Sequence, residues 1–337
     1  MGRRNILLCF DAFGTLFQPK RPVAEQYAAV ASQCGLGGFS AEQVQASFKT
    51  AFSEASEEHP NYGRASGMGA EKWWANVSIR PDTIPSPALT DVVSPCQVIH
   101  KTFQPLAGPG RELPKDLAPR LLHRFSSKEG YNLCATAGSL LHTLKQRQQQ
   151  QQGQNHHPQV IVGVITNSDD RVPNILSSIG LRVSPLRFGS SVDLAQVATQ
   201  LYDIDLHCMS YDVGSSKPDR KIFDAAEDMA NQLLAAQVPH ESRSPGLDQA
   251  PPTPWLKIYV GDEYEKDVVG ARRAGWNPVF VGAETDVPGQ ENVLDWKQLG
   301  DMAVEEIYPE GSDPMTVRAE NTQEFLEWAL KNLARGK

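Results

Sequence analysis

The chain has 337 residues, 40% of them hydrophobic and 21% charged, with a formal net charge of -8. That length exceeds an ordinary single domain and predicts one large core plus a second, smaller module. The acid excess speaks against a nucleic-acid binder, which needs clustered Lys and Arg, and no run nears the roughly 18 apolar residues of a membrane helix.

The first element is a short apolar strand, Ile6 to Phe10, which Asp11 ends abruptly. The run is too short for the apolar stretch of a secretion signal, and position 6 is Ile, where a myristoylation signal on Gly2 would place Ser or Thr. The expectation is a soluble intracellular protein of the cytosol or nucleus. After Asp11 come Phe13, Gly14 and Thr15. A carboxylate at the mouth of a buried strand, followed by a tight turn with backbone N–H groups, suits a nucleophile beside an anion site. An Asp that merely caps a turn fits this segment equally well.

About 140 residues separate this strand from the next, far more than a crossover helix requires. Helix-like apolar spacing over 24–34, 41–56, 70–77 and 117–125 predicts a mainly helical insertion spanning 19–129. Tyr27, Trp73 and Trp74 fall at helical spacing, where aromatics more often build a core than line a pocket. A further helix over 135–148 leads back to the core, which takes 1–18 and 130–337. The polar, Gln-rich stretch 146–157 and the Pro/Ser/Gly-rich stretch 237–254 read as unfolded surface insertions. The five cysteines (Cys9, Cys34, Cys96, Cys134, Cys208) show no metal or disulfide spacing.

A second apolar strand, Val160 to Ile165, runs into Thr166-Asn167-Ser168-Asp169. The Thr166 hydroxyl and the Asn167 amide could hydrogen-bond the oxygens of a transferring group, although such residues commonly cap helices. Next comes GSSKPDRKIF, in which Pro218 presets the backbone beside Lys217. Aimed inward, that lysine would neutralise Asp11; left alone, it would be a solvated surface charge. A third strand, Ile258 to Val260, ends in Gly261-Asp262-Glu263, with Asp267 at the start of the helix-like stretch Lys266 to Ala274. Asp262 and Asp267 could share a hard cation such as Mg²⁺, or act as ordinary helix-dipole partners. Gly275 closes that helix and Pro278 to Val281 makes a fourth apolar strand. Wholly apolar strands suit a parallel sheet covered on both faces, and ligands gather beyond the carboxyl ends of such strands.

Four motifs in this order (Asp11; Thr166; Lys217 with Pro218; Asp262 with Asp267) resemble those of the haloacid dehalogenase superfamily. The resemblance spans nearly the whole chain and implies a three-layer, Rossmann-like parallel α/β core with an inserted helical cap of the first type. It further implies Asp11 as nucleophile, Thr166 and Lys217 steadying charge, and Asp262 and Asp267 holding Mg²⁺, with the backbone carbonyl of residue 13 also on the metal. The segment NYGRASGMGAEKWWANV is more narrowly similar to the group called haloacid dehalogenase-like hydrolase domain-containing protein 3 and its fungal relatives.

One position departs from the pattern. Phosphatases of the superfamily carry an Asp two residues after the nucleophile as general acid and base, and here Phe13 stands there. Proton transfer of that kind is worth about 10²- to 10⁴-fold. L-2-haloacid dehalogenases have Asp-Ala-Tyr-Gly-Thr at this place, so the first motif leans toward them. The retained Asp262 leans toward a metal enzyme, and Arg64, the nearest candidate for the dehalogenase carboxylate-binding arginine, reads better as a surface charge. The leading expectation is a Mg²⁺-dependent phosphohydrolase or phosphotransferase acting on a small phosphorylated molecule. A metal-independent 2-haloacid dehalogenase and a catalytically weak binding protein are the alternatives.

Overall fold

The computed structural model describes residues 4–75, 98–108, 110–134, 136–151, 159–237, 255–283, 293–300 and 302–332. The chain divides into two compact units, one of Met1–Gln18, Asn132–Ser168 and Val172–Lys337, the other of Pro19–Tyr131 with Asp169–Arg171.

The strands are β1 (Asn5–Phe10), β2 (Phe17–Pro19), β3 (Tyr131–Leu133), β4 (Val160–Thr166), β5 (Leu206–Met209), β6 (Trp255–Gly261), β7 (Asn277–Val281), β8 (Val293–Asp295) and β9 (Thr316–Ala319). Seven form one sheet in the order β5-β4-β1-β6-β7-β9-β8, and β2 with β3 makes a short ribbon where the chain leaves the first unit and returns. The pairings within the large sheet are parallel. Strand β1 lies between β4 and β6, with Phe10 opposite both Val164 and Val260. The residues that follow these three strands therefore emerge side by side at one edge.

Every residue of β4 is buried, and β1 is buried from Ile6 to Phe10, as the continuous apolar runs require. On one face Leu7, Cys9 and Ile165 pack with Ile222, Phe223, Ala226, Met229 and Leu233 of the helix Arg220–Ala236. On the other, Phe10 meets Phe325 of the helix Thr322–Asn332 edge-on at 6.3 Å, and Arg147 of the helix Ala137–Gln151 donates to the Leu330 carbonyl. The sheet thus has helices on both faces, in the expected three-layer α/β arrangement.

The second unit is helical, with helices at Val23–Gln33, Ala41–Glu58, Val98–Ala107 and Leu117–Arg124. Helix Ala41–Glu58 starts on a capping box in which Ser40 and Gln43 satisfy each other's backbone N–H. Its core is aromatic: Trp73 and Trp74 pack with Phe52 and Tyr62, and Tyr27 with Phe48, Phe103 and Phe125.

Three expectations change. Residues 169–171 group with the helical unit rather than the core, because the Trp74 indole donates to Asp169 and the Arg171 guanidinium stacks on the Trp74 ring. Gln146–Gln151 are not a loop; the helix runs through Gln151, since glutamine's straight side chain is a good helix former whatever the burial. Residues 152–157 and 238–254 lie outside the described residues. Strands β5, β8 and β9, of four residues or fewer, were not anticipated. Among the described residues no helix is long and apolar enough to cross a membrane.

Candidate active site

Asp11 is the first residue past β1, its N–H bonded to the Val260 carbonyl of β6 at 2.8 Å. The chain then turns tightly, with Gly14 N–H on the Phe17 carbonyl and Leu16 and Phe17 N–H both on Ala12. Gly14 is required twice over. Its φ is +77°, and a Cβ there would lie 2.0 Å from Asp262 Oδ2. The turn is further fixed by Thr15, whose hydroxyl donates to Asp262 Oδ1 at 3.0 Å and whose carbonyl accepts from Thr322.

Asp11, Asp262 and Asp267 converge: one carboxylate oxygen from each lies within 4.8 Å of the others. Asp11 and Asp267 are buried and Asp262 is half-buried. Against these three acids stands Lys217, 4% exposed, with its Nζ 2.9 Å from Asp11 Oδ1 and 2.7 Å from Asp267 Oδ1. The contact with Asp11 is electrostatic rather than a directed hydrogen bond, so Asp11 Oδ1 is buried without a hydrogen-bonding partner. Burial disfavours the charge on Lys217, but Asp11 and Asp267 more than offset this and raise its pKa. Burial and then the Asp11 charge push Asp262 up to about 6, against the opposing hydrogen bond from Thr15. Asp267 also rises, through burial first, although Lys217 pulls the other way.

The three acids and one lysine leave two surplus negative charges in a confined space. Hard carboxylate oxygens at this spacing are the donor set that a divalent cation such as Mg²⁺ takes, and such a cation would supply the missing charge. Asp11 and Asp262 are the better placed to be ligands. Both Asp267 oxygens are already engaged, Oδ1 by Lys217 and Oδ2 by the Glu263 N–H at 2.9 Å. Gly261 is needed to admit this arrangement, since a Cβ there would lie 2.3 Å from Asp267 Oδ2.

Thr166 ends β4 and is buried. Asn167 Nδ2 donates to the Lys217 carbonyl at 2.9 Å and its Oδ1 accepts the Lys217 N–H at 2.7 Å, so the amide grips the Lys217 backbone. Residues 50 apart meet here, a relation that no local pattern carries. Phe13 is half-buried and packs edge-on against Phe17 at 4.7 Å.

Elsewhere, Tyr27, Trp73 and Trp74 are buried in the second unit's aromatic core, the packing role their spacing suggested. Arg64 is exposed on the turn Arg64–Ser66.

The chain combines a parallel α/β core, acids and a lysine at the carboxyl ends of its central strands, and an interrupting helical unit. The chain is similar to proteins named as haloacid dehalogenase-like hydrolases. It is 26% identical over 280 residues to an uncharacterized hydrolase of Schizosaccharomyces pombe, covering 83% of this chain and 92% of that one. It is also 26% identical over 286 residues to haloacid dehalogenase-like hydrolase domain-containing protein 3 of Danio rerio, covering 85% and 87%. No family model matches. Among solved structures, a phosphatase of the superfamily from Thermococcus onnurineus aligns over 96% of this chain and 97% of its own, at 14% identity and TM-score 0.43. A 2-haloacid dehalogenase from Pseudomonas syringae aligns over 96% and 100%, at 15% identity and TM-score 0.45. Neither likeness selects a chemistry.

Proposed function

We propose that this hydrolase is a Mg²⁺-dependent phosphohydrolase or phosphotransferase in which Asp11 is the nucleophile, Lys217 and Thr166 steady the transferring group, and Asp262 holds the metal with Asp11 and the Phe13 carbonyl. Asp267 completes the acidic set chiefly by holding Lys217. The observation that carries the reading is the crowding of Asp11, Asp262 and Asp267 around a single lysine. Bound Mg²⁺ would supply charge neutralisation for the phosphoryl oxygens. The substrate is a small phosphorylated molecule.

Phe13 narrows the choice of substrate. Asp11 attacks phosphorus, the bond to the leaving oxygen breaks, and its electron pair departs on that oxygen. An alkoxide would need a proton that Phe13 cannot give, whereas a carboxylate or phosphate would not. Acyl phosphates and phosphoanhydrides are therefore favoured. Water then attacks the aspartyl phosphate, the P–O bond to Asp11 breaks, and the water's second proton leaves on the released phosphate.

The aromatic pair Phe13–Phe17 favours a second reading, displacement of halide from carbon by Asp11 without metal. One panel separates the two. Phosphate release from acetyl phosphate should require Mg²⁺, stop with chelator, and fall by at least about 10³-fold in Asp11→Asn. Chloride release from 2-chloropropionate in chelator, with acetyl phosphate untouched, would overturn the phosphoryl-transfer reading. Inactivity on both would favour a binding protein on this fold.

A further inference from the structure

Tyr259 lies inside β6, three residues before Asp262, wholly buried. Its ring has an ordinary explanation, since it packs edge-on against Phe223 at 5.1 Å and Trp276 at 6.5 Å. The hydroxyl does not. A buried phenol needs partners, and this one has three: it lies 2.8 Å from the Ile165 carbonyl of β4 and 3.4 Å from Asp267 Oδ1, both acceptors, and it accepts a hydrogen bond from Lys217 Nζ at 2.7 Å. Because an ammonium can only donate, the hydroxyl turns a lone pair toward the lysine, and its own proton goes to an acceptor, of which the Ile165 carbonyl is the nearer. Asp267 Oδ1, 3.4 Å from the same hydroxyl, is the more distant acceptor and also takes a hydrogen bond from Lys217.

We propose that Tyr259 is a positioning residue of this active site, holding the Lys217 ammonium over Asp11. The proposal rests on the reading that Lys217 steadies charge during the reaction. The Lys217 ammonium donates two hydrogen bonds, to Tyr259 Oη and Asp267 Oδ1, and pairs electrostatically with Asp11 Oδ1. Asn167 grips its backbone at the other end. A four-carbon stem pinned at both ends has little freedom left, and the charge points where the transferring group must sit. Without the hydroxyl the ammonium is left one acceptor short and is no longer fixed in its position over Asp11.

The test is Tyr259→Phe, which removes one oxygen and keeps the ring and its packing. With acetyl phosphate and Mg²⁺, kcat is expected to fall about 10-fold while KM stays within twofold, less than the loss reserved for a direct donor. In the substrate-free protein labelled with ¹⁵N-lysine, the Lys217 ammonium resonance, assigned by its disappearance in Lys217→Met, is expected to shift or broaden beyond detection. Phe223→Leu, which loosens the ring's packing and spares the hydroxyl, should leave that resonance in place. An unchanged resonance in Tyr259→Phe overturns the proposal, as does a fall in kcat that Phe223→Leu reproduces with both resonances intact. Failure of the wild type to cleave acetyl phosphate would instead count against phosphoryl transfer, and the substrate-free spectra would still decide what Tyr259 does.

Discussion

The two units each bury an ionic cluster, and the clusters are built on opposite terms. In the helical unit Asp169 is fully answered: both its oxygens accept from Arg171 Nε, at 2.8 and 3.1 Å, and Oδ2 also accepts from the Trp74 indole at 2.7 Å. In the core three acids face one lysine, and Asp11 keeps a buried oxygen with no hydrogen bond. The titration directions follow. Burial alone would raise Asp169, but Arg171 and Trp74 outweigh it and hold its pKa below the usual value, whereas Asp262 is pushed up to about 6. Balanced buried charge belongs to architecture. Unbalanced buried charge is what a site keeps in order to bind something or attack something.

The largest effect expected from this contrast is in the balanced cluster. Asp169→Ala leaves the Arg171 guanidinium buried without its partner, and removing one member of such a pair costs about 3–5 kcal/mol. Urea unfolding followed by tryptophan fluorescence should show the helical unit losing stability by that amount. A loss under 1 kcal/mol would mean that the pair is only decorative and the contrast fails. Sign matters for pH as well. A carboxylate held low contributes stability above its unfolded pKa near 3.9 and loses it only as pH falls through the still lower folded value. Asp169 should therefore be silent between pH 5 and 7.

The unbalanced cluster is where pH and metal should act together. At pH 7.5, Mg²⁺ at about a hundredfold excess over its Kd should stabilise the core by about 2.7 kcal/mol. Protons compete for Asp262 from about pH 6 downward, so the thermal shift caused by Mg²⁺ should shrink between pH 6.5 and 5. A shift that is flat across this range would remove Asp262 from the ligand set. Asp11→Asn should diminish the shift at every pH.

How much of this was legible in the sequence follows from what each residue violates. Asp11 and Asp262 stand out because each interrupts an apolar run at a strand end, and Lys217 because a proline fixes the chain beside it. The parallel core was legible for the same reason, since Ile6 to Phe10 of β1, Val160 to Ile165 of β4 and Ile258 to Val260 of β6 are continuous apolar runs. Tyr259 violates nothing: an aromatic inside a buried strand is what a core predicts, and only coordinates reveal where its hydroxyl goes. The grip of Asn167 on Lys217 was not legible, because its partner lies 50 residues away. Strand β5 (LHCM) was missed because four residues with a histidine carry no periodic signal. In the helical unit Trp73 and Trp74 follow packing rules so well that spacing alone could not separate wall from core.

The smallest expected effect is also the most pointed test of imbalance. If Asp262 is crowded by burial and by Asp11, its charge opposes folding in the metal-free protein. Its folded pKa, about 6, lies above the unfolded value, so between pH 4 and 6 the native state binds more protons than the unfolded chain. Stability from this group is therefore present below pH 4 and is lost as pH rises toward 6. Asp262→Asn removes the charge and keeps an oxygen to accept the Thr15 hydroxyl. In chelator at pH 7.5 the variant should melt higher than the wild type, by about 2 °C for each kcal/mol relieved, with about 1 kcal/mol expected because Asp262 is only half-buried and partly screened by solvent. With saturating Mg²⁺ the order should reverse, since the wild type gains a ligand that the variant lacks. A variant that melts lower than the wild type in both conditions would mean that Asp262 is already paid for within the apo fold, and the division between a balanced and an unbalanced cluster would collapse.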